Sequence, residues 1–379
     1  MPRHAGLMLL LMACGFLVVG QLYVTIPLVG DIASRFAVDP GRAALVGSAF
    51  GIAYAAGFLI FGPLSDRYGR RAVLIAGLAA TGVTTALVGL ASTFAVLLLT
   101  RALQGLAASA FPPAALSLVA ESLPPAQRPL GVSLMSFAFL GAAPLAQFFA
   151  AQSGAGLPAI MLELAPLYLA GATGLFFVAR PDLIAAPRDG AVVSGAIASL
   201  SRDRGILAAW AAAATVLFGF VSFHAGVQAL GGDVRVDLQS LRLIGLPPLA
   251  LTFAAAPLTR RFDAPTTARA GLLLAALSLG LGISGTPNVL LLACILLSAG
   301  VALAVPGLIA TVAGRATNAN RGLALAVYSF TLFIGASLAP PVAQALAAIG
   351  TIPLFLLPVA LLLAAAFAVG IRSPTPANP

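Results

Sequence analysis

The sequence predicts an all-α polytopic membrane protein with twelve transmembrane helices arranged as two pseudo-symmetric six-helix bundles. Three observations predict it. Apolar runs of about 20 residues, each able to cross a hydrocarbon core of roughly 30 Å as a helix, recur from end to end. Nearly all the basic residues sit in the breaks between those runs, and the second half of the chain repeats features of the first at a fixed offset. Hydrophobic residues make up 60% of the chain and charged residues 8%, against roughly 25% charged in soluble domains. The mean hydropathy is +1.06, so lipid is the main solvent.

Reading apolar runs between charge and turn clusters places the first six spans at 7–29, 42–64, 72–91, 94–119, 129–151 and 158–179. The second six fall at 206–229, 240–258, 268–286, 288–311, 322–346 and 352–371. The longest polar stretch, "RPDLIAAPRDGAVVSGAIASLSRDR", separates the sets. It gives an amino-terminal bundle over 1–180, a cytoplasmic connector over 181–205 and a carboxy-terminal bundle over 206–379. The opening residues with "LMAC" ending at Cys14 have the look of a lipoprotein cleavage box. An apolar stretch reaching Leu28 and the need for a first span to match the others point instead to a retained helix.

All 20 basic residues are arginine and the formal charge is +9. With the amino terminus inside, fifteen arginines fall in inner loops and ends and four outside (Arg35, Arg42, Arg235 and Arg242), with Arg101 left inside a span. That asymmetry satisfies the positive-inside rule and puts both termini in the cytoplasm. A nucleic-acid partner would require basic residues clustered with aromatics on one face, whereas these are scattered between apolar runs. Cys14 and Cys294 both lie within spans, so neither a disulfide framework nor a metal site is implied.

The halves also resemble each other in sequence. "GPLSDRYGRRAVLIAGL" from Gly62 aligns with "APLTRRFDAPTTARAGL" from Ala256 at an offset of 194, and Pro112 meets Pro306 at the same offset. At 193, Arg128 meets Arg321 and Ser136 meets Ser329. One six-helix unit therefore appears twice, in parallel.

The first copy concentrates its charge in "GPLSDRYGRR", which must sit in water at the end of the second span because irregular polar backbone cannot face lipid. By charge alone this is a tight basic turn. Its spacing of Gly62, Leu64, Asp66, Arg67, Gly69, Arg70 and Arg71 resembles the signature between helices two and three of the major facilitator superfamily of secondary transporters. The twelve spans, the two-fold repeat and a decayed second copy fit that family's plan over the whole chain. The resemblance implies the family's fold. It also implies that Asp66 faces the start of the eleventh helix near Asn320 to Gly322, where it meets the partial positive charge of a helix amino terminus, with Gly62 and Gly69 permitting close approach. Such a contact would act as an inner latch biasing the protein toward the outward-facing state.

A second match, "LLLTRALQGLAASAFPP", resembles the family's fourth helix through Arg101, Gln104 and Gly105. An arginine seven residues into an apolar span lies about 10 Å deep and requires a partner or a wet cavity. Positions 101, 105, 108 and 112 share a helical face that is small apart from the arginine, suiting a cavity wall or close helix packing. A third feature, the fifth-helix glycine-proline motif of proton-coupled exporters, is partly present: Gly141 and Pro144 remain in "FLGAAPLAQFF", while Ala143, Gln147 and Phe148 depart from it. A proline kink for packing explains that stretch equally well.

Proton coupling requires a group that gains and loses a proton within the membrane. The candidates are Glu163 in the sixth span, His224 in the seventh and Asp31 at the outer end of the first. Glu163 and Arg101 fall at comparable heights, so an ion pair or a competitive proton and substrate switch is one reading and a carboxylate snorkelling to the outer surface the other. His224 titrates in the useful range, yet its place near a helix end also suits an interfacial residue, and Asp31 follows Pro27 where a solvated carboxylate is expected.

Substrate-cavity candidates are Gln21, Tyr23, Gln104, Gln147, Gln228 and Tyr328. A cavity of apolar side chains and a few amides favours amphipathic or weakly polar small molecules over phosphorylated sugars. The chain has no phosphate-cradling P-loop, paired-histidine metal motif or nucleophile elbow, and no convergent nucleophiles at one depth as an enzyme requires. A receptor is expected to carry a soluble output domain, whereas the predicted ends are short. The expectation is a monomeric bacterial inner-membrane transporter without cofactor, resembling drug and metabolite proton antiporters. An importer or uncoupled facilitator is the rival.

Overall fold

The computed structural model describes residues 2–124, 127–179, 199–317 and 320–370. The predicted connector lies largely outside the described residues, as does the side chain of Asp66. The chain forms two compact units, one chiefly of residues 1–187 and the other chiefly of 188–339 and 345–379.

The first unit contains α1 (Pro2–Gly20), α2 (Val29–Phe36), α3 (Pro40–Tyr68), α4 (Arg70–Gly89), α5 (Phe94–Ala108), α6 (Phe111–Ser122), α7 (Arg128–Ser153) and α8 (Gly156–Val178). The second contains α9 (Arg204–Leu230), α10 (Leu238–Ile244), α11 (Thr252–Phe262), α12 (Ala264–Gly282), α13 (Pro287–Arg315), α14 (Arg321–Ala347) and α15 (Thr351–Gly370). With α5–α6 and α10–α11 each taken as one, eleven helices among the described residues are long and apolar enough to span a bilayer, and Ala5–Gly20 is a shorter apolar helix. This is the all-α twelve-span plan read from the sequence.

Three spans are broken where the sequence reading ran them through. The first leaves α-helix after Gly20, passes through a 3-10 turn at Ile26–Leu28 and resumes as α2, reaching Phe36 and not stopping at 29. The fourth changes course at Ser109 and Ala110, where Pro112 and Pro113 cannot donate to the carbonyls four residues back. The eighth is interrupted by Gly245 and a 3-10 turn containing Pro247 and Pro248. Helix starts are fixed by caps: Asp39 accepts from Arg42 N, Thr93 from Val96 N, and Asp263 from Thr266 N. The last of these starts α12 at Ala264, four residues before the expected 268.

The repeat seen in sequence recurs in packing inside each unit. α4 packs on α5, α6 and α8, and in the second unit α12 packs on α13 and α15. A methyl group added at Gly77 would lie 2.6 Å from Ala110 Cβ, and one added at Gly271 would lie 2.5 Å from Ala304 N. Both members of these pairs are displaced by 194 residues. Helices in lipid gain no hydrophobic drive from meeting one another, so association relies on backbones approaching at small residues. The duplicated crossing is therefore preserved at the positions where bulk is least tolerable.

The basic stretch after α3 is a turn made by glycine. Gly69 has φ 92° and donates its N–H to Ser65 O, a conformation a side chain would strain. Arg70 forms an ion pair with Glu121 at the end of α6 at 3.3 Å. Arg71 donates to Phe176 O at 2.5 Å, satisfying a carbonyl in the last turn of α8, where a cation also meets the helix dipole favourably. Arg67 lies over the ring of its neighbour Tyr68. A methyl group added at Gly62 would meet nothing within 4 Å.

Candidate functional site

The fourth-span arginine organises the polar centre of the first unit. Arg101 is 0% exposed on α5, about two turns from the helix start at Phe94. Its Nη1 donates to Gln104 Oε1 at 2.6 Å and to Gln21 Oε1 at 3.2 Å, its Nη2 to Gln21 O at 2.7 Å, and its Nε to Val46 O at 3.3 Å. The guanidinium carbon lies 4.5 Å from the centroid of the Phe50 ring. Four acceptors thus meet the five N–H groups of a guanidinium, with an aromatic face providing a cation–π contact.

None of these ligands is charged. Among the described residues Arg101 has no carboxylate partner, so a full positive charge is held inside the unit by oriented neutral dipoles. A buried ion costs several kcal/mol without compensation, and the surrounding network accounts for how the cost is met. Gln104 Nε2 donates to Thr85 Oγ1 at 2.7 Å, Gln21 Nε2 to Tyr168 OH at 2.9 Å, and Tyr168 OH to Leu17 O at 2.7 Å. Each amide therefore presents its oxygen to Arg101 because its nitrogen is committed elsewhere.

Local structure explains why these atoms are available. Where α1 ends at Gly20 the backbone closes mainly i to i+3 bonds, with Val24 N still on Gly20 O, and Arg101 takes the place of the amide that an unbroken helix would offer the Gln21 carbonyl. Gly105, one turn beyond Arg101, lies directly against the Phe50 backbone of α3. With no side chain there, α3 approaches closely enough for Val46 O to reach the guanidinium.

The sequence reading named Arg101, Gln104, Gly105 and Gln21, and the structure brings all four together. It missed Thr85, Tyr168, Phe50 and Met161, whose sulfur lies 3.8 Å from Gln104 Nε2; these are residue types common in any apolar core. Tyr23 is buried near the broken span, 3% exposed. Gln147 donates to Ala143 O of its own helix at 3.2 Å. Gly141 and Pro144 are both buried within α7.

The structure does not bring Glu163 to Arg101. Glu163 is exposed on α8, while Met161 and Tyr168 of the same helix turn inward. Asp31 is exposed in the first turn of α2. It borders a cavity of about 340 Å³ at the end of the unit opposite Gly69, together with Arg35, Phe36, Leu97 and Leu157.

In the second unit the candidate residues bond to different partners. His224 is buried, 4% exposed. Its Nδ1 lies 3.0 Å from Phe220 O and its ring meets those of Phe220 and Phe223. Gln228 accepts from Arg242 Nη2 at 2.6 Å, and Tyr328 OH donates to Val305 O at 3.2 Å. At the start of α9, Asp203 accepts from Gly205 N and Ile206 N and pairs with Arg315 Nε at 2.8 Å. Partial burial pushes the Asp203 carboxyl up, but the Arg315 hydrogen bond, the two amides and the arginine's charge outweigh it, holding the group below its ordinary range.

Comparisons with known proteins agree with this architecture. The chain is 34% identical over 108 residues to the Multidrug resistance protein D of Escherichia coli, covering 28% of this chain and 27% of that protein. It is 35% identical over 126 residues to the uncharacterized MFS-type transporter YwfA of Bacillus subtilis, covering 32% of this chain and 31% of that one. The matched segments thus span about a third or less of these relatives. Among solved structures, the human organic anion transporter MFSD10 (TETRAN) superposes with a TM-score of 0.75 at 19% identity, covering 97% of this chain and 100% of that one. A bacterial homolog to the human lysosomal transporter Spinster, inward-facing and unoccupied, gives 0.71 at 16% identity over 97% and 96%. At these identities the likeness speaks for the fold. The sequence pattern of the Major Facilitator Superfamily matches residues 11–241 and 238–379, and the chain, an integral membrane protein of the secondary-transporter kind, belongs to that family.

Proposed function

We propose that the protein exports a small organic, drug-like or metabolite solute across the bacterial inner membrane by alternating access, driven by the proton gradient. It works as a monomer without a cofactor and keeps both termini in the cytoplasm. The observation that carries this reading is Arg101, a charge retained deep in a span and held by neutral acceptors from three other positions. Intramembrane ions are expensive and mark solute or ion pathways. Efflux is favoured by the similarity of one segment to a protein named for multidrug resistance. Asp66 serves conformational control, and the solute meets residues near Gln21, Tyr23 and Gln104.

One observation favours a second reading, an uncoupled facilitator. Among the described residues no carboxylate inside a span is buried, Glu163 being exposed. Any proton coupling then falls to His224, a buried residue of the side-chain type whose ordinary pKa lies near neutrality. Proteoliposomes with an imposed pH gradient test both readings. Proton movement that depends on one solute supports the exporter. Solute flux equilibrating without regard to the gradient establishes the facilitator, and no flux with any amphipathic solute overturns both.

A further inference from the structure

The second unit holds a buried side-chain pair, His224 and Cys294, whose contact the transport reading leaves unexplained, although it assigns proton coupling to His224 itself. His224 of α9 and Cys294 of α13 are both buried, at 4% and 0% exposure, and His224 Nε2 lies 4.0 Å from Cys294 Sγ. The tautomer follows from the other ring nitrogen. Nδ1 sits 3.0 Å from Phe220 O, an acceptor only, so Nδ1 carries the proton and Nε2 keeps its lone pair. The thiol has one proton, Leu241 O at 3.3 Å lies nearer than Nε2, and the Ser298 hydroxyl also hydrogen-bonds to the sulfur. The imidazole lone pair is thus aimed at sulfur without a strong donor. An Nδ1–H held by a backbone carbonyl is the usual orienting contact of a metal-ligating histidine.

We propose that His224 and Cys294 form a two-coordinate site for one soft monovalent metal ion of the Cu(I) or Ag(I) class. With metal–sulfur and metal–nitrogen bonds of about 2.3 and 2.0 Å, the lengths of zinc sites, the observed 4.0 Å gap corresponds to a bent N–metal–S angle of roughly 135–140°, wider than tetrahedral. A tetrahedral ion of that size needs the donors only about 3.5 Å apart. Thiolate with imidazole is also the donor set of a soft ion. Binding breaks the Cys294 S–H bond and forms a metal–sulfur bond, the Nε2 lone pair completes the coordination, the proton leaves to water, and nothing is oxidised or reduced. The exchange leaves the charge of the buried site unchanged. A divalent ion would add one positive charge close to Arg242, itself buried on α10 beside Leu241. Gly245 keeps the sulfur uncrowded, since a methyl group there would lie 3.1 Å from Cys294 Sγ. Occupancy would tie the seventh span to the tenth.

Silver nitrate titrated into the purified full-length protein in chloride-free buffer tests the site, with Ag(I) avoiding any redox step. We expect one ion per chain, binding retained in Cys14→Ser, lost in Cys294→Ser, and weakened by at least about tenfold in His224→Gln. Loss with Cys14→Ser alone, or no change with His224→Gln, overturns the proposal. Should the variants fail to fold, X-ray absorption on the silver-loaded wild-type chain decides: one sulfur and one nitrogen bound to silver supports the site, and sulfur alone or no sulfur overturns it. The readout is metal binding, so it stands or falls independently of the transport reading.

Discussion

Arg101 binds Gln21 twice, through the side-chain oxygen at 3.2 Å and the backbone carbonyl at 2.7 Å. The break in the first span and the buried charge in the fourth are consequently one feature: the helix stops where its carbonyl is needed. Truncating Gln21 removes one of the four acceptors of Arg101 and the donor to Tyr168 OH. Gln21→Ala is expected to destabilise the protein by about 1–3 kcal/mol, the range for a buried donor left short of an acceptor. Arg101→Met, which removes the charge but fills similar volume, should keep the fold and lose solute transport. Thermal midpoints in detergent and flux in proteoliposomes separate the two effects. A Gln21→Ala protein as stable as the parent would show that the guanidinium finds other acceptors.

Close helix approach gives a second expectation. Gly105 faces the Phe50 backbone, which cannot move aside as a flexible side chain would, whereas Gly314 has nothing within 4 Å. Gly105→Ala should therefore cost at least the 1–3 kcal/mol typical of overpacking and should pull Val46 O away from Arg101. Gly314→Ala should be neutral or slightly stabilising, since alanine is the better helix former. The same contrast should appear at Gly77 and Gly271, the paired crossings of the two units. Equal midpoints for Gly105→Ala and Gly314→Ala would refute the backbone contact.

Coupling gives a third. Glu163 is exposed and His224 is 4% exposed, so a proton carried by a side chain sequestered from bulk water points to the histidine. Glu163→Gln is expected to leave gradient-dependent transport unchanged, and His224→Gln to leave solute exchange but abolish its dependence on the gradient. Counterflow, which needs no net proton movement, is the control showing that the His224 variant still binds and moves solute. Loss of coupling in Glu163→Gln would reassign the role.

The two kinds of information in the sequence were legible to different degrees. Span positions followed from lipid solvation, which leaves little ambiguity over 20 apolar residues, and most helix ends fell within four residues of expectation. The breaks in the first and eighth spans were not legible, because Pro27, Pro247 and Pro248 interrupt runs whose hydropathy stays high. Arg101 stood out as a charge where none should be. The residues that hold its amide ligands, Thr85 and Tyr168, did not, because a buried hydroxyl can as well satisfy a backbone carbonyl, as Thr81 does through Gly77 O. Glu163 was misplaced beside Arg101 because depth along a helix can be counted from sequence, while the face it presents depends on packing.

The Asp203–Arg315 pair ties the start of α9 to the end of α13 and gives the protein an acid limit. The Asp203 carboxyl titrates below its unfolded value near 3.9, with partial burial opposing and Arg315 and the amide hydrogen bonds prevailing. A depressed acid favours the folded state above the unfolded pKa, and that contribution is lost as pH falls through the folded value. Arginine stays charged throughout, so stability from this pair should be flat from about pH 5 upward and decline below about pH 4. Asp203→Asn retains a capping oxygen but not the charge, and should cost about 1–2 kcal/mol at neutral pH. The difference in thermal midpoint between parent and variant should then close as pH is lowered below about 4. A difference that stays constant down to pH 3 would mean that the ionised carboxylate contributes nothing beyond the cap.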